Sequence, residues 1–167
     1  MNLKNGNLSI RNAVLTDAEQ LCKWWNNGEV MAHAGFPNGL GTTIERICTQ
    51  IAADSGLFII EQDGTAIGEM NYRDKGDKIA SIGIKICDST AQGKGLGTLL
   101  LTMFINELFA NYGFKKIILD TNVKNKRAQR LYEKLGFKVV AVRENSWTDQ
   151  IGELQSVIDY ALTKEEF

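Results

Sequence analysis

The stretch DSTAQGKGLGTLLLTMFINELF, Asp88–Phe109, puts three glycines into five positions, Gly93, Gly95 and Gly97, and then becomes an unbroken helix-like pattern. A glycine-rich loop entering a helix aims several free backbone amides at one spot, and the helix dipole adds partial positive charge there, so the place suits a phosphate or pyrophosphate. Missing Cβ atoms let an anion come close. The plainer reading is a tight turn ahead of a helix. Two familiar phosphate loops do not fit: a Walker loop needs GxxxxGK[ST], and the Rossmann fingerprint needs GxGxxG inside a parallel βαβ unit.

Working outward, the loop follows GLFIIEQDGTAIGEMNYRDKGDKIASIGIKIC, which reads as three strands, Leu57–Gln62, Ala66–Arg73 and Lys78–Cys87, turned by Asp63-Gly64 and by Lys75-Gly76-Asp77. That is an antiparallel meander. Further upstream lie a strand at Leu8–Arg11 and two helices. Thr16 with Glu19, and Thr42 with Glu45, have the spacing of capping boxes. The first helix runs to about Asn26, where a glycine-rich passage breaks it. Downstream of the glycines, Leu99, Leu100, Met103, Phe104 and Leu108 form one stripe of a helix that ends near Gly113. KKIILDTNV is then a buried strand. A shorter helix covers Asn125–Leu135, with Ala128, Leu131, Tyr132 and Leu135 on one face and Gly136 placed for a left-handed stop. FKVVAVRE and LQSVIDYAL close the chain as strands. The expected architecture is a single α/β (α+β) domain over 1–167, with a mixed, mainly antiparallel sheet of about seven strands and about four helices.

The whole chain is consistent with this. Its 167 residues, 44% of them hydrophobic with one proline, supply one sizeable core. A formal charge of −1 offers no global field for nucleic acid. Cys22, Cys48 and Cys87 lack CxxC spacing and are odd in number, so neither a metal site nor a disulfide framework is expected, and a reduced cytoplasm fits. Nowhere do about 18 apolar residues follow one another, so no membrane partner is expected.

Gln92-x-x-Gly95-x-Gly97 resembles the Q/R-x-x-G-x-G/A signature of the GNAT superfamily of N-acetyltransferases. NKRAQRLYEKLGF, Asn125–Phe137, is similar to the family's later segment N-x-x-A-x-x-x-Y-x-x-x-G-F. The two motifs cover roughly residues 79–142, and the N-terminal third matches only in general layout. The resemblance implies acetyl-coenzyme A as the donor, seated in a V-shaped split between the fourth and fifth expected strands, with no metal. It places the pyrophosphate on Gln92, Gly93, Lys94, Gly95, Leu96, Gly97 and Thr98. The pantetheine arm would pair with the backbone of Ile84, Lys85 and Ile86, with Asn125 bonding it and Ala128 leaving it room.

Acyl transfer to an amine needs a neutral nucleophile, a stabilised oxyanion and a protonated leaving thiolate. A backbone amide near Ile86 is the expected oxyanion donor. Tyr132 is the expected acid; a phenol at about pKa 10 and a thiol at about 8.5 are close enough for it. Tyr132 also reads as a core residue on its helix. For the base, Asp120 and Glu69 are the candidates. On the acceptor side, Trp25, His33 and Phe36 in the glycine-rich passage, and Trp147 near the last turn, are candidate pocket walls, with Glu29 able to attract a cationic amine. The expected partner is an amine acceptor: a small or aminoglycoside-like amine, or a protein N-terminus. A homodimer is common among similar proteins. A non-catalytic acyl-coenzyme A sensor or scaffold is the alternative function.

Overall fold

The computed structural model describes residues 1–167 and contains one eight-stranded sheet. Strands β1 (Asn2–Asn5) and β2 (Leu8–Asn12) form an N-terminal hairpin, followed by helices α1 (Ala18–Trp25), α2 (Gly28–Met31) and α3 (Ile44–Ala52). Next come the meander β3 (Leu57–Gln62), β4 (Thr65–Asp74) and β5 (Ile79–Ile86), then α4 (Leu96–Ala110), β6 (Lys116–Asn122), α5 (Lys126–Lys134), β7 (Lys138–Thr148) and β8 (Leu154–Thr163). The strand order is β1-β2-β3-β4-β5-β6-β8-β7. All neighbours are antiparallel except β5 and β6.

The meander forms as the turn chemistry dictates. Asp63 and Gly64 both have positive φ, 52° and 76°, which a two-residue hairpin turn requires and which glycine adopts without strain. The eighth strand was not expected: β1 pairs Asn2–Asn5 with Leu8–Arg11 around Gly6. Its four residues are polar on both sides of Leu3, so no alternation marks it. Both capping boxes shift. Thr43, not Thr42, caps α3, its Oγ1 accepting from Arg46 N. At α1 neither Thr16 nor Glu19 caps; Asp17 turns back to accept the Val14 amide at 2.8 Å and to hold Arg11, while Glu19 pairs with Lys23.

Two cores sandwich the sheet. The larger lies under α4, where Leu100, Leu101, Phe104, Ile105 and Leu108 are fully buried against Ile10, Ile60 and Met70. The buried stripe is thus turned from the expected one: Leu101 and Ile105 go inward, whereas Leu99 and Met103 are half-buried at the edge of the larger core. The smaller core packs α1 and α3 on the opposite face through Leu21, Trp24, Trp25, Ile47, Leu57 and Ile59.

Candidate active site

Strands β5 and β6 are paired only at Ile79↔Lys116, Ala80↔Ile117 and Ser81↔Ile118. Beyond Ser81 they diverge. On its other side β5 stays bonded to β4 as far as Gly68↔Ile86. The residues from Ile82 to Ile86 therefore present one free backbone edge to a wedge between the strands. The expected split is present, although the added N-terminal strand makes its walls the fifth and sixth strands.

The glycine loop closes one end of the wedge. Asp88 Oδ1 accepts from the amide and the hydroxyl of Thr90, which starts the turn. Gln92 Nε2 donates to the Ile86 carbonyl at 2.9 Å, so this side chain ties the loop to the end of β5. The three glycines serve two purposes. Gly93 and Gly95 have φ of 77° and 76°, with open space where a side chain would stand. Gly97 is ordinary helix, but a Cβ there would sit 3.0 Å from Leu131 Cδ2, so its bareness lets α4 approach α5. The amides of Gly93, Lys94, Gly95, Leu96 and Gly97 bond to no other backbone group, and they gather at the N-terminus of a fifteen-residue helix. Lys94 is exposed on the loop, and Leu96 is half-buried and packs on the larger core.

A cleft of about 400 Å³ runs through the wedge. Ile84, Lys85 and Ile86 form one wall, Gly93, Gly95, Gly97 and Thr98 the end, and Asn125, Arg127, Ala128, Leu131 and Tyr132 the other wall, with Glu29, Val30 and His33 at the mouth. Asn125 is there as a cap: its Oδ1 accepts the Ala128 amide at 3.1 Å, leaving its Nδ2 free. Arg127 and Val30 join the cleft without having been singled out in the sequence, and Leu131 joins it although it reads there only as part of an apolar helix face, since nothing in their local pattern distinguishes a wall residue from a solvated or core one.

Tyr132 is 8% exposed and stacks edge-on with Phe137 and Tyr160. Burial, then the charge of Asp120 and the neighbouring Tyr160, push its pKa up to about 12. Its hydroxyl is thus fully protonated at neutral pH.

The two carboxylates proposed as bases lie outside the cleft lining. Glu69 is buried on β4 behind β5, where its Oε1 is 3.4 Å from Lys85 Nζ and its Oε2 accepts from Asn71 Nδ2 at 3.4 Å. Asp120, on β6, stands opposite Asp159 on β8, which is held bidentately by Arg143. More than a third of Asp120 is open to solvent. Desolvation of the remainder, then the Asp159 charge, raise its pKa, and Arg143 opposes them.

Of the aromatic candidates for the acceptor side, His33 and Trp147 line a second cavity of about 200 Å³ that adjoins the first and shares His33 and Asn125 with it. Trp25 and Phe36 line neither cavity, because both turn into the smaller core. Trp147 is a strand residue of β7, and its ring covers Gly35 so closely that a Cβ there would lie 2.1 Å away. Lys124, Asp149 and Glu153 also line the second cavity. Asp149 is committed to the turn: burial raises its pKa, but the amides of Glu153 and Ile151 and the side chain of Gln155 outweigh that and lower it. Gln150 clamps the same turn to the glycine-rich passage. Its Nε2 donates to Gly39 O, its Oε1 accepts from Asn38 N, and its own amide donates to Gly35 O.

Residues 7–138 match the family model for the acetyltransferase (GNAT) domain, which covers most of the chain. The chain belongs to the GNAT acetyltransferase family. Among curated relatives, this GNAT protein is 36% identical over 88 residues to mycothiol acetyltransferase from Thermomonospora curvata. It is 32% identical over 75 residues to the [ribosomal protein bS18]-alanine N-acetyltransferase of Haemophilus ducreyi. These alignments take in 53% and 45% of this chain, but 29% and 51% of the relatives' own lengths. The fold is shared along the full length of solved structures. Spermidine N-acetyltransferase from Vibrio cholerae, in complex with CoA and spermine, superposes with a TM-score of 0.85 at 22% identity, over 97% of this chain and 98% of that one. The yncA protein of Salmonella typhimurium, with its cofactor acetyl-CoA, gives 0.80 at 20% identity over 97% and 96%. No helix of the GNAT protein is long and apolar enough to cross a membrane.

Proposed function

We propose that this protein is an N-acetyltransferase that moves an acetyl group from acetyl-coenzyme A to a primary amine by direct attack. The observation that carries the reading is the free backbone edge of β5, which stands opposite Tyr132 and ends at five unpaired amides. Acetyl-coenzyme A supplies the activated thioester. The amides of Gly93–Gly97 receive its pyrophosphate, with the Arg127 guanidinium beside the same cleft as a further cation. The edge from Ile82 to Ile86 takes the extended arm as an added strand, with Asn125 Nδ2 free to donate to it from the other wall.

Tyr132 is the acid. Its raised pKa keeps the proton in place until a thiolate develops, and it has no protein partner to surrender first. The amide near Ile86 is the donor that stabilises the oxyanion. An amine at about pKa 10 arrives mostly as ammonium. Glu29 and His33 meet it at the mouth of the cleft. Glu69, in contact with Lys85 one layer behind, and Asp120 on β6 are the candidate bases. The acceptor's remaining atoms occupy the second cavity, between Trp147, Glu153 and Lys124. A small amine or a protein N-terminus suits this mixed-charge recess.

The test is release of free coenzyme A thiol against a panel of amines and N-terminal peptides. Amine-dependent release that collapses in Tyr132→Phe supports the transferase. Tight binding of acetyl-coenzyme A with no release on any acceptor points instead to an acyl-coenzyme A sensor, and absence of binding removes both readings.

A further inference from the structure

The middle of the free β5 edge carries a primary amine of the protein's own. Lys85 lines the cleft, with 26% of its side chain exposed. Its Nζ lies 3.4 Å from Glu69 Oε1 and 3.2 Å from Met31 Sδ. A thioether is a weak acceptor, so the ammonium has one long contact to a carboxylate and little else. Glu69 stands directly across the β4–β5 ladder with 5% of its side chain exposed, and its remaining partner, Asn71, is also 3.4 Å away. A buried ion pair this loosely bonded recovers little of its desolvation cost. Lys85 Nζ therefore stands in the wall where the thioester arm is expected, with Glu69 Oε1 as the adjacent group placed to take a proton from it.

We propose that Lys85 is a self-acetylation site, modified by bound acetyl-coenzyme A when no acceptor occupies the cleft. The inference rests on the donor reading above. In the step, Nζ gives one proton to Glu69 and its lone pair forms a C–N bond to the thioester carbonyl carbon. The C–S bond then breaks as the nitrogen releases its second proton to solvent, and the departing thiolate takes the Tyr132 proton, which solvent replaces. The products are an amide on Lys85, free thiol and, once Glu69 ionises again, one proton in water. Acetylated Lys85 no longer balances the Glu69 charge, and its carbonyl and methyl intrude on the acceptor's approach. An acceptor amine and Lys85 therefore compete for the same acetyl group, and the modified protein binds acceptor less well.

The experiment is incubation of the purified protein with acetyl-coenzyme A alone, followed by intact mass and tryptic mapping. The expected result is a gain of one acetyl group, located by loss of cleavage after Lys85 in the peptide spanning 79–94. Labelling should run at least about tenfold faster than on exposed Lys134, fall in the presence of an active amine acceptor, and slow roughly 100-fold in Glu69→Gln, the size of a typical general-base effect. Lys85→Arg, which keeps the cation, should lose the label while its melting temperature shows that it folds. Lys85 left unmodified, or modified no faster than Lys134, overturns the proposal if amine-dependent thiol release still proceeds. If acetyl-coenzyme A also fails to bind in calorimetry, the donor reading falls with it.

Discussion

Replacing Gln150 with alanine should weaken acceptor binding and leave the donor side alone. The side chain makes two hydrogen bonds to the passage that follows α2, Nε2 to Gly39 O at 2.9 Å and Oε1 from Asn38 N at 2.9 Å. Alanine removes both but keeps the backbone bond from residue 150 to Gly35 O and the Trp147 ring over Gly35. A net hydrogen bond contributes about 0.5–1.5 kcal/mol, and the Asn38 bond is exposed and belongs at the low end, so the loss is about 1–2 kcal/mol of loop docking. That corresponds to a factor of roughly 5–30 in the docked population, an upper bound on the rise in acceptor KM. Steady-state kinetics with the best acceptor, together with calorimetric titration of coenzyme A, reads both sides at once. KM for the amine should rise with kcat and coenzyme A affinity held within about twofold. The decisive control is amide exchange at Asn38. If exchange there quickens while the acceptor KM stays put, the loop is detached and irrelevant, and the second cavity is not the acceptor's recess.

Four further outcomes follow from the geometry. Tyr132→Phe should lower kcat by about 10²–10⁴, the range of a lost general acid, with unchanged coenzyme A affinity, and the wild-type rate should show no alkaline limb from this phenol below about pH 11. The same group makes stability pH-dependent: with its folded pKa at about 12 and its unfolded value at about 10, the unfolded chain binds fewer protons across that window. Stability from this group is therefore intact below pH 10 and falls by about 2–3 kcal/mol towards pH 12. Burial pushes Tyr160 up to about 12 as well, so Tyr132→Phe should reduce the alkaline fall in a pH–denaturant series without abolishing it. Gly95→Ala forces a Cβ onto φ of 76° and should cost about 1–2 kcal/mol, or roughly 2–8 °C in melting temperature. Gly97→Ala should be close to neutral, since about 1 kcal/mol of helix propensity offsets a contact with the movable tip of Leu131.

The parts of this protein legible from sequence are those specified by neighbours along the chain. Asp63-Gly64 demands a hairpin wherever it sits between two apolar runs, Asn125 caps and Gly136 stops α5 at positions that only local backbone geometry selects, and the glycines of 93–97 free a row of amides at a helix start. The two motifs that point to the GNAT family are built from such local demands. What the sequence left open was decided by contacts between distant segments. Trp25 and Phe36 look like pocket aromatics in a loop, yet the helices around them rotate both into the smaller core. Glu69 alternates outward on β4, but α2 closes over that face and leaves it buried behind Lys85. Gln150 has no local signal, because its partners lie 111 and 112 residues away. The split between β5 and β6 likewise has no residue of its own. It arises because pairing stops at Ser81 while β4 and β8 hold the two strands from either side, and only the whole sheet determines where an extended ligand finds an unpaired backbone.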